Sequence, residues 1–420
     1  MKKALSNSKY WEMKILYSVL LGYGCYYTVR QNYNIVFSDE LFGISKDYIF
    51  IGWAFTVNSI VYGVGKVVNG YLSDRTSSRF FFSIGLFISG ILSLVAGFCN
   101  STFLICIIFV INGWVQSMGF PSTAKLMLSW TSKDKIASRW SIATCSHQIG
   151  GVSIMLVGGF ILENYGWRYV LILPGIFAIF ASFILYAIVK DSPNEVGVSV
   201  INGWSEDTPS AMTELLCRLL YDKHLQLLCM GNMFAYTIRL GILNWAPIFL
   251  TQYYGFSSSL MGIQVGFYEF MGFIGSVSIG FFIDRLFKDT ISNVGIISMF
   301  LFLVFFFLLS NLITESILYS FILMGIIGFF VYIPQIIVGI ISTMISKKSD
   351  IGMINGFIGM FGYIGSAIAG IGNGEIIAAY GWRGSFIFFL IIGGFGLLTF
   401  ISLSTLKSTI GNDYIERINT

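Results

Sequence analysis

The sequence predicts an all-α membrane protein: twelve transmembrane helices in two pseudo-symmetric six-helix bundles. Three observations lead there. Only 11% of the 420 residues are charged and 55% are hydrophobic, whereas soluble domains carry about 25% charged residues. Twelve apolar runs approach the roughly 20 residues needed to cross about 30 Å of hydrocarbon. Motifs of the first half recur in the second at nearly constant spacing.

The runs lie near residues 14–37, 49–72, 80–98, 102–125, 140–162, 167–189, 224–250, 258–283, 291–310, 315–341, 351–373 and 382–405. The longest hydrophilic stretch, Lys190 to Lys223, contains Pro193 and Pro209 and separates six runs from six. The expected organisation is therefore an N-terminal bundle over 1–190, a cytoplasmic loop over 191–222 and a C-terminal bundle over 223–420. The N-terminal segment carries Lys2, Lys3, Lys9 and Lys14 and runs straight into a helix too long for a cleavable signal. With the N-terminus inside, the inner segments hold nineteen Lys and Arg and the outer loops three, namely Lys46, Arg168 and Arg383. Positive charge stays on the cytoplasmic side, so both termini are expected there, in a cell inner membrane. The six cysteines, four of them inside apolar runs, show no metal-ligand spacing and read as packing residues with free thiols.

The repeats are specific. Gly70-Tyr-Leu-Ser-Asp74-Arg75 follows the second run and Gly280-Phe-Phe-Ile-Asp284-Arg285 the eighth, 210 residues later. Tyr165-Gly-Trp-Arg168 returns as Tyr380-Gly-Trp-Arg383, 215 residues later. Two related halves with a site near the midplane between them is the major facilitator arrangement. In the Gly-x-x-x-Asp-Arg turn, the Asp sits near a helix end and the Arg caps carbonyls or pairs across the half, coupling helix movements at the inner face.

The remaining basic residues, Arg30, Lys66 and Arg239, lie inside apolar runs. A charge at mid-membrane costs roughly 2.5–3.5 kcal/mol, and such residues usually face a cavity and act there. Arg30 and Arg239 are 209 residues apart, at equivalent positions of the two halves. Arg matches phosphate or carboxylate oxygens in two parallel hydrogen bonds and stays charged, so the pair reads as a clamp on one anion. Lys66, in Tyr62-Gly-Val-Gly-Lys66, supplies a point charge on a helix that others approach closely. His147 suits a ligand that itself titrates near neutrality, as a phosphate monoester does. Glu269 is the single carboxylate at comparable depth, either a counter-ion in the absence of ligand or a proton carrier. Tyr26, Tyr27 and Tyr236 lie within a turn or so of the arginines, with hydroxyls for phosphate or sugar oxygens. Asn244 and Trp245 stand further along the helix of Arg239.

No nucleotide-binding loop and no Ser-His-acid or metal constellation is present in the sequence. The expected protein is thus a secondary transporter, not an enzyme. It has no cofactor, metal or nucleic-acid partner and works as a monomer in the lipid bilayer.

These segments resemble the organophosphate:phosphate antiporters of the major facilitator superfamily. The resemblance runs through Gly22-Tyr-Gly-Cys-Tyr-Tyr-Thr-Val-Arg30-Gln-Asn32, Tyr62 to Lys66, Cys145-Ser-His147-Gln-Ile-Gly-Gly151, Tyr236-Thr-Ile-Arg239-Leu-Gly-Ile-Leu-Asn244-Trp245 and Met360-Phe-Gly-Tyr363-Ile-Gly365. It implies that Arg30 and Arg239 bind the phosphoryl group, that Lys66 and His147 line the same site, and that Glu269 joins the charge network. It also implies exchange of an external sugar phosphate, hexose 6-phosphate or glycerol 3-phosphate, for internal inorganic phosphate. The chain departs from the pattern at Gln31, where many relatives have Lys, at Asn244, where Asp is common, and at Thr144, where Asn is usual. Two alternatives share the binding residues: a membrane sensor of external sugar phosphate, and a proton-coupled carrier of another organic anion.

Overall fold

The computed structural model describes residues 2–39, 47–131, 139, 142–143, 145–197, 221–286, 291–312, 316–345 and 351–406. It is all-helical there. The first six spans are Lys2–Val36, Tyr48–Arg75, Ser78–Phe98, Thr102–Gln116 continued by Gly119–Trp130, Ser146–Tyr165 and Trp167–Ile188. The second six are Lys223–Gln252, Ser258–Leu286, Ile291–Leu312, Ile317–Val331 continued by Ile333–Ile345, and one long helix, Ile351–Thr405, that carries the last two. The one helix becomes two spans at Gly381, whose φ of 66° breaks the helix.

That break explains one of the sequence repeats. Gly166 and Gly381 are the glycines of the two Tyr-Gly-Trp-Arg motifs, and both have positive φ. Only glycine enters that region without a Cβ penalty, so each motif is a sharp joint between consecutive spans. The sequence placed the end of the eleventh run at 373; the helix continues to this joint because the residues between, Gly374 to Tyr380, satisfy their backbone within the helix. The first span likewise begins well before the apolar run at residue 14.

The fourth and tenth spans are each broken midway, at Ser117–Met118 and at Tyr332. Pro121 and Pro334 follow the breaks, and a proline inside a helix removes one backbone donor and crowds the preceding turn. Pro174 in the sixth span shows how such a defect is repaired. The N–H it lacks would have bonded Val170, and the Val170 carbonyl accepts instead from Asn32 Nδ2 at 3.4 Å. Ser93 Oγ donates to the next carbonyl, Leu171, at 2.8 Å.

The described residues fall into two compact units. One comprises Met1–Asp47, Val57–Ser205 and Trp245–Gly266, the other Tyr48–Thr56, Glu206–Asn244 and Phe267–Thr420. In the first, the third and sixth spans cross with Gly90 on Gly175. A Cβ on Gly90 would stand 2.8 Å from the Gly175 carbonyl oxygen and 3.0 Å from Ile179 N. Backbone cannot yield as a side chain does, so Gly90→Val is expected to cost about 1–3 kcal/mol by overpacking. A melting temperature equal to the parent's would show that the crossing opens freely. In the second unit, Thr56 Oγ1 donates to Ala367 O at 2.7 Å and accepts from Ile371 N at 2.8 Å, tying the start of the second span to the eleventh.

The outward faces are apolar. On the sixth span Ile176, Phe177, Phe180, Phe183 and Ile184 are all exposed, at helical spacing. Such a stripe has no place in water and fits lipid, where each helix satisfies its own backbone.

At the Arg75 end of the second span, Lys125 Nζ caps the Ser73 and Thr76 carbonyls at 2.8 and 2.9 Å. Arg75 Nη1 donates back to Tyr71 O at 3.3 Å and lies over the Tyr71 ring. The side chains of Asp74, Asp284 and Arg285 lie outside the described residues, as does Cys217. His224 is only part-exposed: Nδ1 stands 3.7 Å from Asp222 and Nε2 3.2 Å from the Leu406 carbonyl.

Candidate functional site

In the first unit, Tyr27 and Arg30 are one turn apart on the first span. The Arg30 guanidinium lies 4.2 Å from the Tyr62 ring centre and 5.3 Å from that of Tyr27. The His147 ring, on the fifth span, is 5.4 Å from Tyr27. Lys66 Nζ sits 4.3 Å over the Phe120 ring and interacts electrostatically with Tyr27 and Arg30. The four residues expected in this half are therefore one cluster. A close crossing of the first and fifth spans brings them together: a Cβ on Gly150 would overlap the Gly24 carbonyl and the Tyr27 side chain. Tyr26 points elsewhere. Its hydroxyl donates to the Phe82 carbonyl at 2.7 Å, inside the core of the bundle.

In the second unit, Arg239 is 4% exposed and Glu269 fully buried. The guanidinium lies 4.3 Å from the Tyr332 ring centre and 5.7 Å from that of Tyr236. Arg239 Nη1 donates to Gln335 Oε1, and Gln335 Nε2 donates to the Tyr236 hydroxyl at 2.9 Å. Tyr332 OH donates to Glu269 Oε1 at 2.7 Å. Glu269 and Arg239 interact electrostatically, so the acid and the base of this half share one buried network. Tyr236 meets Tyr363 edge-on at 5.7 Å. Again a glycine permits the approach, since a Cβ on Gly365 would overlap the Met233 carbonyl.

The duplication extends to these crossings. Gly24 and Met233 are 209 residues apart and Gly150 and Gly365 are 215 apart. Gly113 packs on Asn58, and Gly328 on Tyr268, residues separated by the same intervals of 215 and 210. One element is exchanged between the halves. Tyr62 covers Arg30 from the second span, and its counterpart 210 residues on is Gly272. Gly272 makes room for the ring of Tyr332, which covers Arg239 from the tenth span. The counterpart of Tyr332 in the first half is the small Ser117. Tyr62 entered the sequence reading only as part of the Lys66 motif, and Tyr332 and Gln335 not at all, because they reach the arginines from other helices rather than from the same turn. The 210- and 215-residue intervals pair them with Gly272, Ser117 and Phe120, so the repeat alone does not mark them as neighbours of the arginines.

The sequence matches the family described as Major Facilitator Superfamily over residues 19–339. The chain belongs to the Major Facilitator Superfamily. This facilitator is 29% identical over 416 residues to a "Probable hexose phosphate transport protein" of Chlamydia pneumoniae, covering 94% of the chain and 91% of the relative. It is 31% identical to the "Glycerol-3-phosphate transporter" of Bacillus subtilis strain 168, over 89% of the chain and 88% of the relative. It is 28% identical to the "Membrane sensor protein UhpC" of Escherichia coli K12, over 94% of each. These relatives bear out the resemblance to the organophosphate:phosphate antiporter branch. Among solved structures, a bacterial homologue of the human lysosomal transporter Spinster, inward-facing and unoccupied, superposes with a TM-score of 0.75 over 95% of this chain and 98% of that one. Its identity is 15%, so the likeness concerns the facilitator fold of twelve helices. The family is one of membrane transporters.

Proposed function

We propose that this chain exchanges an external organophosphate, a sugar phosphate such as hexose 6-phosphate or glycerol 3-phosphate, for internal inorganic phosphate by alternating access. The observation that carries the reading is the pair of arginines at equivalent positions of duplicated halves, each held against aromatic rings inside its own bundle. The names of the hexose phosphate and glycerol-3-phosphate transporters among its relatives support the same substrate class.

Arg30 and Arg239 take the phosphoryl group as a planar, charge-assisted clamp. Lys66, His147 and Tyr27 add contacts from the first half, Tyr236 and Glu269 from the second. An anion that neutralises both arginines lowers the cost of drawing the two bundles together. Without one, like charges oppose closure, so something anionic rides in each direction. The substrate drives the transition only as far as it binds the occluded state more tightly than the open ones. Asp74-Arg75 and Asp284-Arg285 couple helix movements at the inner face. The carrier sits in an inner membrane as a monomer with both termini in the cytoplasm, its halves joined by the loop 191–222.

Proteoliposomes loaded with inorganic phosphate test this. Uptake of labelled glucose 6-phosphate or glycerol 3-phosphate is expected to require internal phosphate. Uptake that is independent of internal phosphate and follows a proton gradient would replace exchange by proton-coupled anion transport, with Glu269 as the carrier. The E. coli sensor relative favours a second reading, a receptor for external sugar phosphate. Binding without flux in the same vesicles would establish it.

A further inference from the structure

We infer that Gln335 is a positioning residue, which holds the Arg239 guanidinium in the plane from which it takes an anion. The inference rests on the proposed function, since it assigns a role inside the same site. Both ends of the Gln335 amide are used. Its oxygen accepts from Arg239 Nη1 and its nitrogen donates to the Tyr236 hydroxyl at 2.9 Å. Tyr236 and Arg239 are one turn apart on the seventh span, so the amide is gripped by two residues of the helix it orients. Arg239 settles which end of the amide faces it, because a guanidinium has only donors to offer and so takes the oxygen, while the Tyr236 hydroxyl accepts from the nitrogen.

The chemistry of the contact matters as much as its geometry. A guanidinium presents five N–H donors in a fixed fork. Gln335 occupies a donor on Nη1 and Tyr332 covers a ring-facing side. A neutral amide fixes the plane of the fork without cancelling its charge, and a carboxylate in the same place would compete with the substrate anion for it.

The break in the tenth span delivers the residue. Gln335 lies three residues past Tyr332, the break point, so both point to the same side of the helix and meet the same guanidinium. The counterpart of Gln335 in the first half, 215 residues earlier, is Phe120. Phe120 lies three residues past Ser117 in the break of the fourth span, and its ring covers Lys66. Each half thus sets the residue after its broken helix against its own mid-membrane cation.

The test is equilibrium binding of inorganic phosphate to the purified full-length protein, with glucose 6-phosphate as a second probe. Gln335→Met keeps the volume and removes both hydrogen bonds, and phosphate affinity is expected to fall about tenfold, the equivalent of one charge-assisted hydrogen bond. Gln335→Glu places a carboxylate on Arg239 and is expected to bind more weakly still. In an Arg239→Lys background, which has no fork to orient, Gln335→Met is expected to add no further loss. Parent-like binding by both Gln335 variants would overturn the role. So would an equal loss from Gln335→Met with and without Arg239, because the residue would then act on its own. Gln335→Glu keeps the side-chain shape and decides the matter if the Met variant does not fold. If the parent itself binds neither probe, the proposed function fails, and the role of Gln335 fails with it.

Discussion

Replacing Arg30 or Arg239 by alanine is expected to abolish phosphate-driven exchange in proteoliposomes. The magnitude follows from what each side chain contributes. Truncating one partner of a desolvated, hydrogen-bonded charge pair costs about 2–5 kcal/mol, which is roughly 30- to several thousand-fold in affinity. Lysine is an incomplete substitute at both positions. It restores the charge, but not the planar fork or the stacking on Tyr62 and Tyr332. Arg30→Lys and Arg239→Lys are therefore expected to fall between parent and alanine. Retention of parent exchange by either alanine variant would sink the two-arginine clamp, since each half would then work without its cation.

The second large effect is expected at Glu269. It is fully buried, accepts from Tyr332 OH and interacts electrostatically with Arg239. Removing one member of such a buried network leaves the other charge uncompensated, which costs about 3–5 kcal/mol. Glu269→Ala should therefore lower the melting temperature of the purified protein markedly. If Glu269 is the counter-ion of the empty carrier, an anion should replace it: millimolar phosphate should stabilise Glu269→Ala more than it stabilises the parent, by the linkage between ligand binding and folding. Glu269→Gln keeps an acceptor for Tyr332 and should lie between the two. Equal stabilisation of variant and parent by phosphate would remove the counter-ion role and leave proton transfer as the reading of Glu269.

Span number and the three cations inside apolar helices were legible in the sequence. Their physical basis is local. Hydropathy over about 20 residues reports a crossing whatever the neighbours are, and a buried charge is costly enough to stand out alone. The Tyr-Gly-Trp-Arg repeats were visible too, although their meaning as joints waited for the positive φ of Gly166 and Gly381. Helix ends were less legible, because polar residues such as those before Lys14 continue a helix as readily as apolar ones do.

Tertiary structure alone decided what surrounds each charge. Tyr62, Tyr332 and Gln335 are uncharged residues of common types, and nothing local distinguishes them from packing residues such as Tyr26. They meet Arg30 and Arg239 only because glycines at 24, 150, 272 and 365 let helices cross closely, and because two helices break at their midpoints. The sequence by itself determined where the cations lie along their helices. Which rings cover them, which amide orients one of them and which acid answers it depended on contacts between helices far apart in the chain, and those arise from packing rather than from pattern.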